Sequence, residues 1–167
     1  MDLLDRMLGH DYWATTQILE YCRPLSDAQL DREFDIGHRS LRETLDHQIF
    51  VLNAWTQQML GTPAATAREG GRSIAELSEL HERYHAQFSE VARRISAEQR
   101  LDEMFVDHYD YPQSQGATII HVLYHNVLHR SEAKHMLARL GVADVWDLDP
   151  QEWEYVQRNG GLEQEQA

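Results

Sequence analysis

The sequence holds one cysteine, Cys22, and one lysine, Lys134. A single cysteine excludes an intrachain disulfide and a thiolate metal cluster built within the chain. Its neighbours Ile18, Leu19 and Tyr21 predict a buried, unreactive thiol. Basic residues are scarce as a class: 15 Lys and Arg face 28 Asp and Glu, for a formal net charge of −13. A generic nucleic-acid binder needs a basic surface to displace phosphate counterions, so no nucleic-acid partner is expected. Nothing in the sequence explains the preference for arginine over lysine. Long apolar runs are missing too. No stretch approaches the roughly 18 apolar residues of a membrane span, and "MDLLDRMLGH" lacks the basic and apolar regions of a secretion signal. The expectation is a cytoplasmic protein with no membrane partner. Also absent are GxSxG, a P-loop and a dinucleotide fingerprint.

What is present is ordinary in bulk: 167 residues, 42% hydrophobic and 26% charged, enough for one domain with a core. Helix-start patterns recur. Ser is followed three residues later by Glu or Gln at Ser26–Gln29, Ser40–Glu43, Ser73–Glu76 and Ser96–Gln99, and Asp149-Pro150-Gln151-Glu152 is a fifth start. Pro24, Gly61 and Gly141 are stops. Together they predict long helices near 2–22, 41–60, 74–95 and 116–140, with short helical turns near 27–32, 97–101 and 151–158. Only "MFVDHYDY" has any strand character. The linker "GTPAATAREGGR" at 61–72 reads as flexible, and the connection at 102–115 is long. Two long connections predict an all-α four-helix bundle whose topology is not simple up-down-up-down. The domain spans 1–158, followed by a frayed tail at 159–167. Apolar helix faces left over would suit a homodimer.

Histidine is over-supplied: ten in all, four of them in "HVLYHNVLHRSEAKH" (121–135). At 100° per residue, Val122, Ala133, Leu137 and Leu140 form one apolar side of that helix, with Met136 beside them. His129 falls within this stripe and His125 on its edge; His121 and His135 lie further round. Two imidazoles at i and i+4 can share one metal ion, but a helical HxxxH without its Glu also suits two hydrogen-bonded histidines. On the second long helix, His47 aligns with Val51 and Ala54 at the edge of the stripe formed by Leu41, Leu45, Leu52 and Trp55. A third ligand from there requires the two helices to be neighbours. His81 and His85 form a competing HxxxH on a face that looks partly solvated, beside Leu77 and Phe88. His38 precedes a cap, His108 lies in a loop, and His10, near Trp13, could approach the bundle centre.

"HDYWATTQILEYC", "SLRETLDHQIFVLNAWTQQMLG" and "HVLYHNVLHRSEAKHMLARLG", in that order and spacing, resemble the DinB-like (YfiT-like) metalloenzymes over about residues 3–157. The resemblance implies a four-helix bundle holding a divalent metal ion, zinc or nickel, with His47, His125 and His129 as ligands. It departs where the family often carries Arg-Gly-Gln after its last histidine: Arg130 matches, but Ser131 and Glu132 follow. Glu132 could accept a hydrogen bond behind a ligand, act as a base, or be a solvated charge; with His10 it is a candidate for proton transfer. Several members of the family it resembles are thiol transferases or isomerases that use a low-molecular-weight thiol. Three neutral imidazoles leave a metal its full charge and an open position, suited to activating a thiol or a water. The expected activity is therefore metal-dependent thiol transfer to a small-molecule substrate. Metal-dependent hydrolysis, or metal and small-molecule binding without catalysis, are the alternatives.

Overall fold

Caps fix where the helices begin. The computed structural model describes residues 1–63 and 68–160, with six helices and one small hairpin: α1 (Leu3–Cys22), α2 (Asp27–Leu30), α3 (Leu41–Met59), α4 (Ile74–Ala97), β1 (Met104–Val106), β2 (Pro112–Ser114), α5 (Gln115–Arg139) and α6 (Pro150–Asn159). Part of the linker expected to be flexible (64–67) and most of the tail expected to fray (161–167) lie outside the described residues. Capping boxes close the starts of α2, α4 and α6 at Ser26, Ser73 and Asp149. Ser40 caps α3 through the Glu43 amide, but the Glu43 carboxylate is drawn away to Arg68. The Ser96–Gln99 pattern is a false start. Ser96 belongs to the last turn of α4, Gln99 is left-handed (φ 58°), and no helical turn forms at 97–101. β2 was not foreseen; it pairs antiparallel with β1, Phe105 opposite Gln113.

Cross-links set the helix directions. Asp5 pairs with Arg93 and Asp11 meets His85, so α1 and α4 are antiparallel. His47 meets His125 while Gln115 donates to the Met59 carbonyl, so α3 and α5 are antiparallel. Arg42 donates to the Arg72 carbonyl and Gln57 to Gln87, so α3 and α4 are parallel. The four run up-down-down-up, and α1 and α3 each pack against both α4 and α5. Parallel α3 and α4 require the 60–73 connection to travel back along the bundle. Its described end is pinned rather than free: Arg72 pairs with buried Asp46 at 2.5 Å, and Arg68 donates to the Glu43 carbonyl at 3.0 Å. α6 lies on α1, where Gly9 lets the Trp153 ring approach too closely for any Cβ.

The core is split. One apolar cluster gathers Ala14, Ile18, Leu41, Leu45, Leu77 and Leu137 among others; the second gathers Leu8, Leu52, Phe88, Val91 and Val122 among others. Between them runs a buried polar belt of Asp11, Thr15, Gln48, His81, His85, Ser89, Asn126, His129 and Arg130. Cys22 is fully buried, and burial pushes its thiol up to about 12, so it is inert as expected. No helix among the described residues is long and apolar enough to cross a membrane. The outer face of α5 leaves Ile120, Tyr124, Val127 and Leu128 exposed.

The face of α4 carrying His81 and His85 is buried against α1, not partly solvated: the two are 2% and 4% exposed. Glu79, Glu82 and Arg83 make that stretch look polar, but they sit on its outer side. Burial, then repulsion from His85, pushes His81 down to about 4. A histidine held neutral in the fold binds fewer protons than in the unfolded chain, whose pKa is about 6.5. Its contribution is intact above that value and is lost as pH falls from 6.5 toward 4, about 3 kcal/mol in all. The His81 Nε2–H donates to the Tyr12 carbonyl at 3.2 Å, a contact that a glutamine can keep without titrating. Denaturant melts of metal-free His81→Gln at pH 7 and 4.5 should show a smaller acid loss than the unsubstituted chain. Equal acid losses would remove His81 as a cause.

Candidate metal centre

α3 and α5 are neighbours, and they bring His47, His125 and His129 together. The His47 and His129 Nε2 atoms lie 3.1 and 3.0 Å from the His125 Nε2. A fourth imidazole joins them: His38 lies against His47 with ring centroids 3.7 Å apart and planes tilted by 31°, and a ligand atom from each of His38, His47 and His129 lies within 4.8 Å of the others. Two overlapping sets of three therefore exist, and the tighter Nε2 contacts are those centred on His125. The sequence carries no periodic signal for His38, because its position depends on a loop. Left-handed Gly37 (φ 51°) and Arg39 (φ 73°) fold that loop over the cleft.

The proton inventory tests whether a cation fits. The Glu132 Oε2 is 2.7 Å from His129 Nδ1, so the Nδ1–H donates to the carboxylate and the other ring nitrogen, Nε2, is the one that faces the cluster. The one N–H that His125 can place at Nε2 cannot give a full hydrogen bond to both His129 and His47. Converging lone pairs with too few protons between them are what a divalent cation satisfies, and imidazole donors suit zinc or nickel. The rings are also in the form that binds metal. Burial, then the charge of neighbouring histidines, pushes His47 down to about 3 and His125 down to about 4, so both are neutral at pH 7. On the far side of its ring, the buried Nδ1 of His125 finds no hydrogen-bond partner.

Glu132 is no solvated charge. Its side chain is only 14% exposed and is pressed between His129 and the Gly37 backbone, where a Cβ at residue 37 would collide with the carboxylate. A carboxylate behind a metal-binding imidazole fixes its tautomer and orientation. Glu132→Ala should therefore weaken metal binding about 10–100-fold, and Gly37→Ala, which displaces the same carboxylate, should reproduce part of that loss. Competition against a chromogenic chelator measures both. Unchanged affinity in both variants would mean that Glu132 does not support the site.

Each clustered ligand is followed by a residue locked onto α1. Gln48 donates to Thr15 Oγ1 at 2.9 Å, Asn126 to Asp11 Oδ2 at 2.8 Å, and Arg130 to Asp11 Oδ1 at 2.5 Å and Thr15 Oγ1 at 3.0 Å. Burial alone would raise the Asp11 pKa, but Arg130 and then His85 overcome it and hold the carboxyl well below the usual carboxylate range. Ser89, His85 and Asp11 line up superficially as a hydrolase triad, at 3.2 and 3.4 Å. All three are buried, and Asp11 is already committed to Arg130. Ser89 meets His85 at Nδ1, the nitrogen that a triad gives to its carboxylate. The arrangement belongs to the structural belt.

His10 is not brought to the cluster. Its Nε2 lies 2.8 Å from the Leu148 carbonyl, and it lines a cavity of about 670 Å³ between α1, α5 and α6. That cavity contains none of the clustered histidines.

No curated protein matches the chain. The family model of the DinB superfamily matches residues 10–133, from the middle of α1 past all four histidines of the cluster and Glu132. The match covers most of the chain, and the bundle agrees with it: the chain belongs to the DinB superfamily.

Proposed function

We propose that this protein is a divalent-metal-dependent enzyme that transfers a low-molecular-weight thiol to an electrophilic small molecule, with His47, His125 and His129 holding the metal. The observation that carries the reading is the convergence of three imidazole nitrogens, with His47 and His129 Nε2 at 3.1 and 3.0 Å from His125 Nε2, which a single N–H at the centre cannot satisfy. When bound there, a zinc or nickel ion supplies Lewis acidity that favours a thiolate over a thiol. With no carboxylate or thiolate among the ligands, that charge is undiminished. The chain offers no accessible thiol of its own, because Cys22 is fully buried in an apolar cluster that pushes its pKa up to about 12. The nucleophile must therefore come from outside. Glu132 keeps the His129 Nδ1 proton in place, and His38, on its loop, is positioned to add a fourth donor or to accept a proton from an incoming ligand.

The holo protein should conjugate a panel of cellular thiols to an aryl halide or an epoxide above the uncatalysed rate. The rate should vanish with chelator and return with added metal. If only an ester or amide panel shows a metal-dependent rate, hydrolysis is the function. Stoichiometric metal with no turnover of either panel would make the protein a binder.

A further inference from the structure

A run of aromatic rings leads along α3 and α5 away from the histidine cluster. One turn toward the hairpin from His125 lies His121, with ring centroids 5.9 Å apart, and Trp55 follows 5.3 Å from His121. There a recess of about 600 Å³ opens between α3, α5 and the hairpin. Its lining includes four rings (Trp55, Tyr109, Tyr111, His121), one carboxylate (Asp107) and no lysine or arginine. Tyr109 and Tyr111 are each 66% exposed, so neither is spent on the core. The hairpin presents them by design of its backbone: the Asp107 Oδ1 accepts the Tyr109 and Tyr111 amides at 2.8 and 3.0 Å across left-handed Asp110. The other oxygen, Oδ2, accepts only the Gln113 amide, at 3.2 Å. Residues 101–129 contain no Lys or Arg, and residues 47–63 contain no charged residue at all.

We propose that this recess binds an organic cation, the ammonium or alkylated-ammonium part of a small molecule, beside the histidine cluster. Ring faces attract a cation through their quadrupole, and a nearby carboxylate adds a full charge. An anionic group would meet Asp107 and the field of a chain carrying −13. As a substrate subsite the recess rests on the metal-dependent reading above; as a binding site it stands on its own lining.

Choline and dimethylbutanol, in which carbon replaces the charged nitrogen, are matched probes for titration calorimetry on the full chain, chelator-treated and zinc-loaded. Choline should bind about fivefold or more tighter than dimethylbutanol in both forms. Tyr111→Ala and Tyr109→Ala, at exposed positions, should each weaken choline about three- to tenfold with little change in melting temperature. Equal binding of the two probes, binding of neither, or choline affinity unchanged in the Tyr109→Ala/Tyr111→Ala double variant would overturn the proposal. Choline selectivity in a chain that takes up no metal would keep the recess and sink the metal reading. Metal uptake without choline selectivity would do the reverse.

Discussion

Asp11→Ala should destabilise the protein by about 3–5 kcal/mol, because it strands the Arg130 guanidinium, buried with its partner at 2.5 Å, without a counter-charge. For a chain of this size that corresponds to a fall of roughly 6–20 °C in melting temperature. The variant also frees Asn126 and Arg130, the residues immediately after His125 and His129, so metal affinity should fall as well. The two effects separate in Asp11→Leu/Arg130→Met. Replacing both members of a buried ion pair with apolar groups is often neutral, so most stability should return while metal binding stays weakened. A single variant losing less than about 1 kcal/mol, by chemical denaturation of the metal-free protein, would show that Asp11 is not the keystone of the belt.

The second large effect is on the metal itself. His125 contributes the Nε2 atom on which the other two contacts centre, and truncating it leaves too few converging donors. His125→Ala should cost more than the about 10–100-fold lost when an outer partner is removed, and the purified variant should carry little metal. His81→Ala, in the other HxxxH, should keep its metal, since the His81 Nε2–H is already given to the Tyr12 carbonyl and the ring lies against α1. Elemental analysis of both variants decides. Metal retained in His125→Ala and lost in His81→Ala would move the site to α4.

The sequence made the long helices legible because their signals are local. Ser73 and Glu76, or Asp149 and Glu152, are three residues apart and act within one turn. The convergence of His47, His125 and His129 was legible for a similar reason: helical periodicity puts His129 within an apolar stripe and His47 and His125 at the edge of one, and facing helices do the rest. What escaped depends on contacts distant in the chain or on loop conformation. His38 reaches His47 only because Gly37 and Arg39 turn left-handed. Glu132 reads as a surface charge until the 31–40 loop covers it. Asp11 and Arg130, 119 residues apart, leave no periodic trace of their pairing. Ser96 fails in the other direction: its pattern is a start signal, but it falls inside α4, where the helix is already running and stops at Gln99.

Metal-edge X-ray absorption on the zinc-loaded chain tests the central claim most directly. The account predicts three or four imidazole nitrogens at about 2.0–2.1 Å around zinc, falling in number in His125→Ala. A zinc shell of carboxylate oxygens, or a spectrum unchanged when His47, His125 and His129 are all replaced by alanine, would contradict it.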